Sequence, residues 1–358
     1  MGTRLSELAS LLPENADAAL IISEANRRYY TGFVSSLGYL FVTRNGSFLL
    51  VDSRYEEAAR DQAKGCTVIL FKKLKDTMTE LIAQQGLKSI MLEASAFTLT
   101  EAAETESIFS GAGAAAIKTN DLDKLISRMR IIKTSAEIDK MRRAQSITED
   151  AFMQTIKLIR EGVTEKELAL ELEFRMRRSG AESVSFDLIV LSGSKTSMPH
   201  GVPDFNTVKY GNFVLFDIGA TYEGYHSDMT RTVAFGKVDG PSRRIYETVR
   251  QAQQNALDAV RDGISCREVD IKARSYINAA GYEGMFGHST GHGVGIEIHE
   301  APSVSMSNDF ILRSGMVITV EPGIYVPGKC GVRIEDMVVV SANGCINLAS
   351  LPKELIEL

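Results

Sequence analysis

The chain has 358 residues, 44% hydrophobic and 24% charged, with 29 Gly and 8 Pro. This is globular composition, which excludes a disordered or collagen-like chain and leaves room for about two domains. A net charge of −6 argues against a nucleic-acid partner, and no apolar run approaches the roughly 20 residues of a membrane-spanning helix.

The first third alternates short apolar runs with helix-like stretches. Ala18–Ile22, Leu37–Val42, Ser47–Val51, Val68–Phe71 and Ser89–Leu92 read as buried strands, with helices at Ser53–Lys64 and Thr77–Gln85 between them. This is an α/β pattern without a GxGxxG after a strand, so no dinucleotide site is expected. Tyr29, Tyr30 and Phe33 read first as core. Glu14 and Asp17 interrupt any signal-peptide core near the start. The domain boundary is expected within Thr119–Ser135, giving domains at 1–130 and 131–358. Asn120-Asp121 starts a short helix. Thr134-Ser-Ala-Glu137 then reads as the N-cap of a long helix reaching about Arg160.

The remainder repeats itself. Arg160-Glu-Gly-Val-Thr164-Glu-Lys-Glu-Leu168 matches Arg261-Asp-Gly-Ile-Ser265-Cys-Arg-Glu-Val269 at an offset of 101, and Ser179-Gly-Ala-Glu182 matches Ala280-Gly-Tyr-Glu283 at the same offset. Each copy reads helix, glycine, Ser or Thr cap, helix, glycine stop. Strands follow each copy, at Val214–Ile218 and Thr230–Phe235 in the first and at Met316–Val320 and Val332–Val340 in the second. Such a duplication sets two hairpins face to face across a pseudo-two-fold axis.

The polar residues that carry chemistry fall on those hairpins. Asp217 and Asp228 flank a turn within Tyr222–Tyr225. They share a face whether the loop is Tyr222-Glu223, which opposes them directly, or Glu223-Gly224, which sets them diagonally. Glu321 ends one strand of the second half, and alternation places Arg333 and Glu335 on one face of another. All five histidines lie between His200 and His299. His288 and His292 stand four apart, but the glycines of Gly287–Gly295 argue against a helix, so a tight loop presenting imidazoles is expected. His226 shares the face of Asp228 and is expected to pack or support it. Buried together, four carboxylates need a cation. The set is too acidic for a structural zinc site and suits Mn²⁺, Mg²⁺ or similar ions, and it has ligands enough for two. The four cysteines, Cys66, Cys266, Cys330 and Cys345, form no CxxC and read as reduced thiols of a cytoplasmic protein.

Asp217, Asp228, His292, Glu321 and Glu335 stand in the contexts FDIG, HSDMTRT, GHGVG-x-E-x-HE, EPGIY and RIED, spaced 11, 64, 29 and 14 residues apart. In these contexts they resemble the five metal ligands of the M24 pita-bread metallopeptidases. The α/β domain before them resembles the creatinase-type N-terminal domain of prolidase and aminopeptidase P. The resemblance implies a creatinase-like α/β N-terminal domain followed by an α+β pita-bread domain with an internal pseudo-two-fold repeat. It implies two divalent ions, Mn²⁺ first with Co²⁺ or Zn²⁺ as alternatives, and hydrolysis of a small peptide with proline in second position. It also implies a homodimer. Glu321 would then move the water's proton, and His200 and His299 would face the substrate and the developing oxyanion. His288 would order the glycine loop or join catalysis, and Arg333 would pair with a ligand carboxylate or with substrate. An Xaa-Pro dipeptidase is the first expectation. The alternatives are an Xaa-Pro aminopeptidase acting on longer peptides, a metal-free creatinase-like amidinohydrolase and a non-enzymatic pita-bread module. The intact ligand set argues against the last two.

Overall fold

Near-continuous apolar runs with no polar alternation demand cover on both faces of a sheet. The first unit of the computed structural model, which describes residues 3–358, is built that way. In chain order it contains α1 (Arg4–Leu11), β1 (Ala18–Ile21), α2 (Glu24–Thr31), β2 (Tyr39–Thr43), β3 (Gly46–Val51), α3 (Glu56–Gln62), β4 (Thr67–Leu70), α4 (Leu74–Gln85), β5 (Ser89–Leu92), α5 (Leu99–Gly111), β6 (Ala115–Ile117) and the start of α6 (Asp121–Ile131). The strands form one six-stranded sheet in the order β4-β3-β2-β1-β5-β6, antiparallel in its β1–β2–β3 meander and parallel elsewhere. Leu20, Phe41, Leu50, Ile90 and Phe109 lie in its core. The five expected strands all form. The expected helix at 53–64 shortens to α3, and the one at 77–85 begins earlier, at Leu74. Helices α1, α2 and α5 and strand β6 lie outside the sequence expectations. Ser23 caps α2, and a Thr98–Glu101 capping box starts α5. Tyr29, Tyr30 and Phe33 are buried, and the Tyr29 hydroxyl donates to the Met129 carbonyl at 2.9 Å, so these aromatics pack.

The second unit begins at Arg130. The Thr134–Glu137 capping box opens α7 (Ser135–Thr155), which runs into a 3-10 turn at Ile156–Leu158. Then come α8 (Glu165–Arg178), β7 (Ser183–Val184), β8 (Ile189–Ser192), β9 (Asn212–Ile218), β10 (Ala220–Tyr222), β11 (Tyr225–His226) and β12 (Met229–Phe235). The second half supplies α9 (Gly240–Ala259), α10 (Cys266–Ile277), β13 (Gly291–Gly293), β14 (Glu300–Val304), β15 (Val317–Val320), β16 (Gly323–Val326), β17 (Cys330–Arg333), β18 (Asp336–Ser341) and β19 (Gly344–Asn347). Strands β12-β9-β8 form one sheet and β14-β13-β15-β18-β19 another.

The repeat extends to individual hydrogen bonds. Thr164–Glu167 and Ser265–Glu268 are both capping boxes. Gly162 N–H donates to Val208 and Gly263 N–H to Leu312, and Glu165 N–H donates to Asn206 and Cys266 N–H to Phe310. In each half a small distal hairpin, β10–β11 or β16–β17, interrupts a longer one, β9–β12 or β15–β18. The candidate carboxylates sit at those interruptions. Among the described residues no helix is long and apolar enough to cross a membrane, and the four cysteines are free.

Candidate metal centre

The turn between β10 and β11 decides how the first two carboxylates meet. Tyr222 pairs with Tyr225, so the loop is Glu223-Gly224, and both loop residues have positive φ, 46° and 81°. That is the primed hairpin turn whose twist matches the strands. The register it sets pairs Asp217 with Thr230, which puts Asp228 diagonal to Asp217, the second of the two expected arrangements. In the other half, Val320 pairs with Asp336 and Gly323 with Arg333, and the same register sets Glu321 opposite Glu335.

Two expectations are corrected here. The strand predicted over Val332–Val340 breaks at Ile334-Glu335. Its reason is a cross-hairpin bond: Glu335 N–H donates to the Thr230 carbonyl at 3.1 Å and so leaves the ladder of its own sheet. Arg333 and Glu335 nonetheless converge, because Arg333 Nε donates to Thr230 Oγ1 (3.1 Å) and that hydroxyl donates to Glu335 Oε2 (2.7 Å). His292, expected on a loop, lies on β13, paired with β14 and close against β15. The glycines there permit close strand approach, since a Cβ at Gly291 would overlap the Thr319 carbonyl oxygen and one at Gly293 the Ala301 carbonyl oxygen.

His292 is aimed by its backbone. Its Nδ1 lies 3.0 Å from the Gly293 carbonyl, which fixes the proton there and turns Nε2 toward Asp228 Oδ2 (3.4 Å) and Glu321 Oε1 (3.5 Å). Asp228, His292 and Glu335 each offer a ligand atom within 4.8 Å of the others. Asp217 joins through Arg333, whose Nη2 donates to Asp217 Oδ2 at 2.5 Å. Thr319 Oγ1 accepts from His292 N–H (3.1 Å) and donates to Glu321 Oε1 (3.2 Å).

The electrostatics identify what the cluster lacks. Burial, with Asp217 nearby, pushes the Asp228 carboxyl up to about 6. Burial pushes Glu321 up to about 7, with Asp228 and Asp217 adding to it, and burial with the same neighbours drives Glu335 well above the usual range. Burial alone would lower His292, but Asp228 and Glu321 overcome it and hold the imidazolium to about 9. Against four carboxylates stands one guanidinium, Arg333, already engaged by Asp217, Thr230 and Tyr325. This oxygen-rich donor set with one imidazole, carrying excess negative charge in a buried place, fits hard divalent cations.

The remaining histidines separate by environment. His288 Nε2 accepts from the Tyr325 hydroxyl (2.8 Å), its Nδ1 faces the Ser289 carbonyl (2.8 Å), and Tyr325 in turn accepts from Arg333 Nη1 (2.7 Å). Burial, with Arg333 close by, lowers His288 to about 4, so it is a neutral hydrogen-bonding member of a chain that ends on Asp217. His299 is exposed, and its ring meets His292 edge-on at 4.4 Å between centroids. His200 is exposed on the loop before β9, where Arg333 Nη1 approaches the Pro199 carbonyl at 3.5 Å. His226 packs against the Gly295 carbonyl through Nδ1 (3.2 Å) and its backbone N–H (3.0 Å), as expected. Tyr325, Thr230 and Thr319 were not singled out from sequence. Tyr325 lies inside the EPGIY segment, two residues past Gly323, and strand alternation from there would have pointed to it.

Comparison with known proteins agrees with this geometry. Residues 139–342 match the profile described as Metallopeptidase family M24, and residues 4–132 match the Creatinase/Prolidase N-terminal domain. A Xaa-Pro dipeptidase of Pyrococcus horikoshii is 36% identical over 99% of this chain and 99% of its own. The solved structure of a Xaa-Pro dipeptidase from Bacillus anthracis superposes with a TM-score of 0.93 at 39% identity, covering 99% of both chains. That of an X-Pro aminopeptidase from Thermotoga maritima superposes with a TM-score of 0.91 at 36% identity, covering 99% of this chain and 100% of its own. The chain therefore belongs to metallopeptidase family M24, in the branch that carries a creatinase/prolidase N-terminal domain before the pita-bread catalytic domain.

Proposed function

We propose that this enzyme is a Xaa-Pro dipeptidase in which Asp217, Asp228, His292, Glu321 and Glu335 hold two divalent ions. The observation that carries the reading is full-length similarity, through both domains, to relatives named Xaa-Pro dipeptidase, joined to the clustering of Asp228, His292 and Glu335, with Glu321 beside His292 and Asp217 reached through Arg333. Mn²⁺ is the first choice of ion, and Co²⁺ or Zn²⁺ suit the same donors. The proposed setting is cytoplasmic, in keeping with four free thiols, and the proposed assembly is a homodimer.

Bound ions would supply Lewis-acid polarisation of the scissile carbonyl and a water acidic enough to attack it at neutral pH. The protein's own groups do the rest. Glu321, whose Oε1 lies 3.5 Å from His292 Nε2, can take a proton from the attacking water and return it to the departing proline nitrogen. His299, beside His292, and His200 present ring N–H groups to the charge that develops on the carbonyl oxygen. The His288–Tyr325–Arg333 chain holds Asp217 in orientation. A Xaa-Pro bond has no N–H and isomerises slowly, which sets it apart from ordinary peptide substrates.

One observation favours a second reading. The X-Pro aminopeptidase of Thermotoga maritima is as similar in sequence as the Pyrococcus dipeptidase. Hydrolysis rates on Ala-Pro, Ala-Pro-Gly and Ala-Pro-Gly-Gly with Mn²⁺ supplied separate the two. The dipeptidase reading expects cleavage of Ala-Pro far above the longer peptides, and the reverse order overturns it.

A further inference from the structure

We infer that Glu165 is a positioning residue which, with Lys195, sets the loop that carries His200; the inference rests on the reading of His200 as a substrate-side group. His200 lies between β8, which ends at Ser192, and β9, which begins at Asn212. Glu165, the first residue of α8, is wholly buried. Its Oε1 accepts from Ser192 N–H (2.7 Å) and Asn206 Nδ2 (2.7 Å), and its Oε2 from Lys195 Nζ (2.7 Å) and Asp204 N–H (3.3 Å). One carboxylate thus ties the beginning of the loop to its end. Lys195 repeats the closure, donating also to the Val202 carbonyl (2.8 Å) and pairing with Asp204 (2.7 Å). His200 hangs from the closed ring, whose near side is docked on β17 where Gly331 N–H donates to Thr196 Oγ1 at 2.8 Å.

The internal repeat supplies a control. Cys266 occupies the position equivalent to Glu165, with the same backbone bond across to the returning strand (Cys266 to Phe310, Glu165 to Asn206). Cys266 is also fully buried. A small apolar side chain therefore suffices where packing is the only task. A buried carboxylate is costly unless every acceptor site is used. It occurs in the half that holds His200, and each of its carboxylate bonds goes to that loop or to Ser192, the strand residue from which the loop departs.

The test is a double-mutant cycle on the metal-loaded enzyme with Ala-Pro as substrate. Glu165→Gln keeps the shape and removes the charge that holds Lys195. Lys195→Gln reaches the same clamp from its partly exposed side and serves if the first variant fails to fold. Each should lower kcat about 10- to 100-fold, the scale of misplacing a reacting group by about an ångström, with bound metal per chain unchanged. In a His200→Ala background either clamp variant should lower kcat by less than about threefold, since the group it positions is gone. Full additivity with an impaired His200→Ala, or wild-type kcat in both clamp variants, overturns the positioning role alone. A His200→Ala enzyme with wild-type kcat overturns the reading of His200 and the inference with it.

Discussion

Replacing Glu321 by Gln should stabilise the metal-stripped protein while destroying its activity. In the folded state this carboxyl is fully buried beside Asp228 and Asp217 and is pushed from an ordinary 4.5 up to about 7. A carboxyl raised in this way keeps its proton in the folded state where the unfolded chain has released it. Stability therefore falls as pH rises from about 4.5 through about 7, at about 1.4 kcal/mol per pH unit. At pH 8 the whole gap has been lost, on the order of 3 kcal/mol, and Gln removes that penalty because it has nothing to ionise. His292 keeps Asp228 as an anionic neighbour, so the substitution does not strip it of its partners. For a domain of this size 1 kcal/mol moves Tm by about 2–4 °C, which predicts a rise of roughly 6–12 °C at pH 8 and little change at pH 4.5. Asp228, raised from 3.8 to about 6, should add a loss of similar sign between pH 4 and pH 6 in the stripped wild type. The assay is a set of calorimetric melts of chelator-treated wild type and Glu321→Gln from pH 4.5 to 8.5, with metal content checked by elemental analysis. A stripped wild type whose stability is flat over that range, or a Gln variant melting below wild type at pH 8, would refute the electrostatic reasoning.

Further outcomes follow from the same geometry. Asp228→Asn should leave the circular dichroism spectrum unchanged and abolish Xaa-Pro hydrolysis with loss of bound metal, read by elemental analysis; an unchanged rate at full metal content contradicts its role. His299→Ala should lower kcat about 10²–10³-fold with KM and metal content less affected, the scale of removing one oxyanion donor. A kcat within about threefold of wild type instead assigns His299 to packing. Gly291→Ala should cost several kcal/mol and weaken metal binding, because the new methyl must displace the Thr319 carbonyl and with it β15, whose Thr319 hydroxyl holds the His292 N–H and Glu321; melting and metal titration read both.

The residues that were legible share a local signature. Asp217 and Asp228 could be placed on one hairpin face and Glu335 beside Arg333 by strand alternation, Glu321 could be placed at a strand end, and the Glu223-Gly224 loop was one of two turns compatible with the pattern. Thr134–Glu137 and the paired capping boxes at Thr164 and Ser265 follow a rule that spans three residues. The Thr98–Glu101 box that starts α5 carries the same signal and was there to be read. What escaped depends on partners distant in the chain. The break at Glu335 exists because Thr230, 105 residues away, supplies both a carbonyl and a hydroxyl. His292 lies on a strand because Gly291 and Gly293 face carbonyls of β14 and β15, so glycines that argued for a loop are there for close approach. Alternation along β16 could have placed Tyr325, but not the partners it joins, His288 and Arg333, which are distant from each other in the chain.

The central claim is that five residues drawn from both halves of the repeat form one dinuclear metal site. Diffraction from crystals grown with Mn²⁺, recorded at the manganese absorption edge, tests it without reference to activity. Two anomalous peaks are predicted about 3.5–4 Å apart, as in other two-metal sites, enclosed by Asp217, Asp228, His292, Glu321 and Glu335. A single peak, or manganese bound anywhere but among these five side chains, would contradict it.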